Sequence, residues 1–237
     1  MKKLKIGVFA YNWPHYKTQA GLINLSAAGF TPDLVLAADP VKLKFYKSKI
    51  RVAPKDLYVN DTSKLCSLLN VPCEVVVHNS EKCVSLIKEK NLDVGVILGA
   101  RILKKNVIES FNIGVINMHP GILPENRGLD NLKWAIIKDL DQGVTSHLID
   151  SKIDKGRLID RKKIKVYKDD TLVDIHLRIQ SLEQQMMIES IERLFKERNL
   201  EAFEILGEGE TYHRSVPPEI EKDLMNLFET YVKKRGE

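Results

Sequence analysis

Val115-Ile116-Asn117-Met118-His119-Pro120-Gly121-Ile122-Leu123-Pro124-Glu125-Asn126-Arg127-Gly128 joins a short apolar run to a loop stiffened by two prolines and two glycines. In a strand, residues two apart point to the same face. A strand through this run therefore aims the Asn117 carboxamide and the His119 imidazole at one spot, where the strand ends. In open α/β sheets, ligands bind at the carboxyl ends of strands. The stretch implies a buried strand with a ligand site at its end.

The residues before it alternate between apolar runs and helical patterns. Strands are expected over Leu4 to Ala10, Asp33 to Ala38, Glu74 to Val77, Asp93 to Leu98 and Ile113 to Met118. Nearly continuous apolar strands are the mark of a parallel sheet covered on both faces. A helix is expected over Lys17 to Ala28, closed by Gly29. Asp61-Thr62-Ser63 reads as the cap of a helix to Leu69, and Asn79 or Ser80 as the cap of one to Lys90. A short helix fits near Asn106 to Ser110, and Asp39 to Leu57 reads as a basic loop or short helix. Such alternation implies βαβ units with right-handed crossovers. The expected fold class is α/β: a Rossmann-like, mostly parallel sheet with helices on both faces.

Beyond the loop, Leu129, Leu132, Ile136 and Leu140 lie at helical spacing, predicting a helix over Leu129 to Lys138. Strands follow at Gly143 to Ile149 and Arg157 to Val166, an antiparallel pair around the turn Asp150 to Gly156. Asp170-Thr171 caps a long helix to Arg198, and Pro217-Pro218 starts a last helix to Lys233. The expected organisation is a catalytic domain over 1–166 and a small, mostly helical C-terminal extension over 167–237 packed on the core. The apolar faces of the extension suit a homodimer or a capped monomer.

The chain has 237 residues, 43% of them hydrophobic and 29% charged, as in a globular protein. No apolar run reaches the roughly 18 residues of a membrane span. The lysine-rich start has too short an apolar run for a signal peptide, so it reads as the first strand and the protein as cytoplasmic. Cys66, Cys73 and Cys83 are odd in number, lack metal spacing and read as free buried thiols. A net charge of +5 is dispersed, with no nucleic-acid motif. No histidine set has metal spacing, and the expected metal content is none. His15, His78, His176 and His213 read as structural or exposed.

His147, Asp150 and Asp154, ending in Gly156, form a second polar cluster. On composition alone the carboxylates serve either the turn or acid–base chemistry. A carboxylate beside His119 raises the imidazole pKa and fixes its tautomer.

Asn117-Met118-His119-Pro120-Gly121-Ile122-Leu123-Pro124 resembles the Asn-x-His-Pro-Ser-Leu-Leu-Pro signature of the folate-dependent formyltransferases. His147 to Gly156 resembles their second signature, in which a histidine stands seven residues before the catalytic aspartate. Gly99-Ala100-Arg101-Ile102-Leu103 resembles the segment lining their folate pocket. The resemblance covers roughly Leu92 to Val166. It implies formyl transfer from 10-formyl-tetrahydrofolate, as co-substrate, to an amine. It makes Asn117, His119 and Asp154 the catalytic residues. It also places Arg101, Ile102 and Leu103 on one side of the donor pocket, with Leu148, Ile149 and Asp150 on the other. Asn117 and protonated His119 would stabilise the oxyanion, and Asp154 would hold His119 and assist proton movement.

Departures from the family patterns bear on the acceptor. Glycinamide ribonucleotide formyltransferases carry a glycine-rich phosphate loop after the first strand, where this chain has Tyr11-Asn12-Trp13-Pro14-His15-Tyr16. Methionyl-tRNA formyltransferases add a C-terminal β-barrel, where this chain reads as helical. Gly121 stands where the family has serine. The resemblance is therefore strongest to the sugar N-formyltransferases, which imply a nucleotide-linked amino sugar of the dTDP-4-amino-4,6-dideoxy type, destined for polysaccharide. Tyr11, Asn12 and Trp13 would meet a base or sugar ring, and Arg127 a diphosphate or its own loop. The partners expected are small molecules, without nucleic acid or membrane. Two alternatives stay open: another amine acceptor, or a non-catalytic folate- or nucleotide-binding protein.

Overall fold

A computed structural model describes residues 4–41, 48–150, 156–197, 199–207 and 212–237. β1 (Ile6–Tyr11), α1 (Tyr16–Ala27), β2 (Leu34–Ala38), α2 (Thr62–Leu68), β3 (Cys73–Val75), α3 (Glu81–Lys90), β4 (Val94–Ile97), α4 (Lys105–Ile108) and β5 (Gly114–His119) alternate along the chain. Then come β6 (Arg127–Gly128), α5 (Asn131–Ile137), β7 (Gly143–Ile149), β8 (Gly156–Lys163), α6 (Leu172–Lys196), β9 (Tyr212–His213), α7 (Pro218–Glu221) and α8 (Leu224–Arg235). The main sheet runs β3-β2-β1-β4-β5-β7-β8. Its first five strands are parallel, and β7 and β8 extend it antiparallel. The expected α/β class and mostly parallel sheet are what the chain forms.

The two-residue period of each strand divides two cores. Ile6, Val8 and Ala10 of β1, Val35 and Ala37 of β2, and Ile116 and Met118 of β5 join α1 and α6 on one face. Phe9, Leu34, Leu36 and Val115 face the other way, toward α3 and α4. Asn117 and His119 have the parity of Val115, so they stand on the second face, at the end of β5. Glycine at 7 and 95 leaves that face room for Phe111, whose ring a Cβ would meet at 3.1 and 2.9 Å.

Several boundaries depart from expectation for local reasons. Asp61 makes no side-chain cap; instead the buried Thr62 hydroxyl donates to the Tyr11 carbonyl (2.7 Å) and lies 3.2 Å from the Trp13 carbonyl. Ser80, not Asn79, caps α3, by accepting from the Cys83 N–H. The helix expected from Leu129 starts at Asn131 because Asp130 has φ 52°, and Leu129 is left exposed. The helix expected from Pro217 is broken into α7 and α8. α6 carries the anticipated cap, a reciprocal pair between Thr171 and Asp174. The cysteines among the described residues are free, as expected.

Elements after β8 return to the loop that follows β5. β9 pairs parallel with β6, and Gly128 (φ +103°) is obligatory there, since a Cβ would sit 2.0 Å from the His213 carbonyl oxygen. Trp134 of α5 stacks on His213 at 4.7 Å. A buried ion pair joins α5 to α7, Lys133 Nζ to Glu221 Oε1 at 2.7 Å, with Ser48 also bonded to Lys133.

Candidate active site

The site starts from the pairing of β5 with β7, which sets Asn117 opposite His147 and His119 opposite Thr145. Directly opposed residues share a face. The Asn117 amide nitrogen lies 3.3 Å from His147 Nε2. An amide N–H only donates, so Nε2 accepts and His147 holds its proton on Nδ1. The His119 and His147 rings stand edge to face, 6.5 Å apart.

His119 is 3% exposed, at the point where β5 gives way to the loop. Its Nε2 lies 2.7 Å from the backbone carbonyl oxygen of Asn126. A carbonyl only accepts, so Nε2 carries a proton. The loop is fastened by a buried hydroxyl: Thr145 Oγ1 donates to the Gly121 carbonyl (2.7 Å) and accepts the Leu123 N–H (3.0 Å). Arg161 of β8 donates to the Leu123 carbonyl at 2.9 Å.

Of the other expected residues, six line one or the other of two cavities. Arg101 lines one of about 470 Å³, with Tyr11, Trp13, Asp39, Val77 and His78. Tyr11 and Trp13 stack on each other at 4.2 Å, and the Tyr11 ring packs on Gly99, where a Cβ would meet it at 2.7 Å. Burial pushes the Tyr11 hydroxyl pKa up, against the opposing pull of Arg101. Asn12 donates to Asp39 Oδ1 (2.7 Å), tying the ends of β1 and β2 together. Leu148, Ile149 and Asp150 line the second cavity, about 460 Å³, with Ile108 and Phe111. Leu103 is in the second core, while Ile102 is exposed, its carbonyl accepting from the Asn79 amide. Arg127 is buried and donates to the Gly207 carbonyl, and its Nε has no hydrogen-bond partner among the described residues. Asp154 lies outside the described residues.

Sequence reasoning missed Thr145, Asn126 and Asn131. Asn126 and Asn131 lie in a loop and at a helix start, where asparagine has ordinary local uses. Their burial is what sets them apart, at 1% and 5% exposed.

Among the described residues, no three His, Cys, Asp or Glu side chains gather as a metal site, and no helix is long and apolar enough to cross a membrane. The end of β5 thus sets a carboxamide and an imidazole side by side on one face of the sheet. This is equipment for stabilising charge on an oxygen.

Comparison with known proteins agrees. The family model described as formyl transferase matches residues 40–191. The methionyl-tRNA formyltransferase of Borrelia garinii is 31% identical over 112 residues, 46% of this chain and 36% of that protein. The chain thus spans well under half the length of that curated relative. A phosphoribosylglycinamide formyltransferase structure from Anaplasma phagocytophilum superposes with a TM-score of 0.65 at 18% identity, covering 89% of this chain and 96% of that one. A sugar N-formyltransferase structure from a Shewanella species gives 0.59 at 18% identity, covering 94% and 87%. At these identities the structural likenesses speak for the fold. With the family match over most of the sheet and both sequence signatures, the chain belongs to the formyl transferase family.

Proposed function

We propose that the protein transfers the formyl group of 10-formyl-tetrahydrofolate to the amine of a nucleotide-linked amino sugar. The observation that carries the transfer is the paired Asn117 and His119 at the end of β5, backed by His147, in a chain of this family. A neutral amine attacks the formyl carbon, forming the new C–N bond as the carbonyl electrons move to oxygen. The second Asn117 N–H and an imidazolium at His119 stabilise that oxyanion. Collapse re-forms the C=O and breaks the bond to the folate nitrogen, which takes the proton the amine gives up. Asp154 serves as the carboxylate that supports His119 and moves this proton. The donor occupies the side of Leu148, Ile149 and Asp150, with Leu103 behind the wall.

The acceptor enters by the Tyr11–Trp13 cavity. β1 and β5 are two strands apart in the sheet, about 10 Å. A group held at the aromatic pair can therefore extend its amine to His119. The stacked rings suit a base or sugar ring, and Arg101 suits a diphosphate. Arg127 instead orders the loop through Gly207. A ribonucleotide phosphate is less well served here. The N-terminus of α1 is capped by its own His15, and Thr62 engages the backbone of the turn. Among the described basic side chains toward the C-terminus, Arg178 pairs with Asp170 and Arg235 with Asp139.

The purified chain, given 10-formyl-tetrahydrofolate and a panel of dTDP-amino sugars, glycinamide ribonucleotide and Met-tRNA, is expected to formylate a dTDP-amino sugar. Turnover only on the ribonucleotide or the tRNA would remove the sugar reading, and no turnover with folate bound would remove the transferase reading.

A further inference from the structure

The proposed chemistry places His119 at the reacting oxygen with Asp154 in support, and leaves open which of the described residues hold its ring. Two asparagines from the following loop and helix do so. The Asn126 carbonyl receives two donors: His119 Nε2–H at 2.7 Å and Asn131 Nδ2–H at 2.9 Å. A carbonyl oxygen has two lone pairs and can serve both. In return, the Asn126 amide donates to the Asn131 backbone carbonyl at 2.9 Å. The two residues are thus locked reciprocally, and the Asn131 amide nitrogen also lies 3.1 Å from His119 Nε2. His119, Asn126 and Asn131 are 3%, 1% and 5% exposed.

Glycine at 121 belongs to the same arrangement. A Cβ there would lie 2.9 Å from the Asn126 carbonyl oxygen and 3.2 Å from His119 Nε2. The first distance is closer than such contacts normally come, and the neighbour is backbone. A residue larger than glycine would push the carbonyl off the imidazole. The position at which this chain departs from the serine of the resembled signature is the one that makes room for the carbonyl.

We infer that Asn131 is a positioning residue that, through the Asn126 carbonyl, holds His119 as the Nε2–H tautomer. Without the Asn131 side chain, the carbonyl loses its second donor, and of the reciprocal pair only the bond from the Asn126 amide to the backbone of residue 131 remains. Both tautomers then become accessible. The kinetic part of this inference rests on the proposed formyl transfer; the tautomer does not.

The test uses the full chain labelled with 15N-histidine. Proton–nitrogen correlation reads which imidazole nitrogen carries the proton, and His119→Gln identifies the His119 signals. The wild type is expected to show Nε2–H at His119. Asn131→Ala and Gly121→Ala disturb the same carbonyl from opposite sides, so both are expected to give mixed tautomers with a cooperative melt retained. Both should also lower kcat on the order of tenfold or more, with KM for donor and acceptor within about threefold. Nδ1–H in the wild type overturns the inference. An unchanged tautomer in either folded variant does so too, as does an unchanged kcat alongside a changed tautomer. A chain that shows the expected tautomer and its dependence on Asn131, but transfers no formyl group, upholds the positioning and contradicts the proposed reaction.

Discussion

Asn117 and His147 face each other across the pairing of β5 and β7, with the amide nitrogen 3.3 Å from His147 Nε2. One N–H is spent on His147, and the other is directed by it. A fully buried imidazole, 0% exposed, thus orients the group proposed to meet the oxyanion. His147→Ala removes the acceptor and lets the amide rotate. Its kcat is expected to fall on the order of ten- to a hundredfold, as for a misplaced catalytic group. Steady-state formylation kinetics check this, and an unchanged kcat in a folded variant contradicts the orienting role.

Thr145 is the fastener of the loop, and its loss should register in stability. Thr145→Val keeps the shape but leaves the Gly121 carbonyl and the Leu123 N–H, both now hydrogen-bonded to the hydroxyl, without that partner. The expected cost is about 2–4 kcal/mol, from two buried backbone groups losing a hydrogen bond. Thr145→Ser keeps the hydroxyl and should lose less. Urea unfolding at neutral pH measures both, and equal stability of the valine and wild-type proteins is the contrary result.

Acid should weaken the start of α1. His15 accepts the Thr18 N–H as the cap, a role open only to its neutral ring. Burial pushes its pKa down to about 4, and Lys17 adds to the shift. The unfolded chain takes up this proton near the ordinary value of about 6.5. The unfolded state then binds more protons between those values, so stability falls as pH drops from 6.5 toward 4. Above 6.5 the contribution is intact. His78, His176 and His213 shift in the same direction through burial, so the wild-type slope is a sum. His15→Asn keeps a capping oxygen without a titrating ring. Its pH–stability curve should be flatter than the wild type in that window, and an identical slope contradicts the assignment.

Much of the sheet was legible because the physics of its strands is local. Unbroken apolar runs gave the buried parallel strands, and the two-residue spacing of Asn117 and His119 gave a shared face. The Thr171 cap was legible for the same reason, since its partner Asp174 lies three residues away. What escaped depends on contacts between distant segments. Asn131 reads as a helix-start residue until β5 brings His119 against it. Arg127 reads as a partner for a diphosphate or for its own loop, and only the return of the chain near Gly207 shows what covers it. Arg101, Ile102 and Leu103 read as one wall, yet consecutive residues of an extended segment cannot all face one side. Arg101 turns to the aromatic cavity, Ile102 outward and Leu103 into the core.

The central claim is direct transfer of a formyl group by the groups at the end of β5. Its most direct measurement gives the chain 10-formyl-tetrahydrofolate labelled with 13C in the formyl carbon, together with a dTDP-amino sugar, and follows the label by mass spectrometry. The account predicts the label on the acceptor nitrogen in equal amount to tetrahydrofolate released, with none on the protein. It also predicts that Asn117→Ala, His119→Ala and Asp154→Ala each slow the transfer on the order of a hundredfold or more while the fold stays intact. Label bound covalently to the protein, or transfer undiminished in the Asn117→Ala and His119→Ala variants, would contradict it.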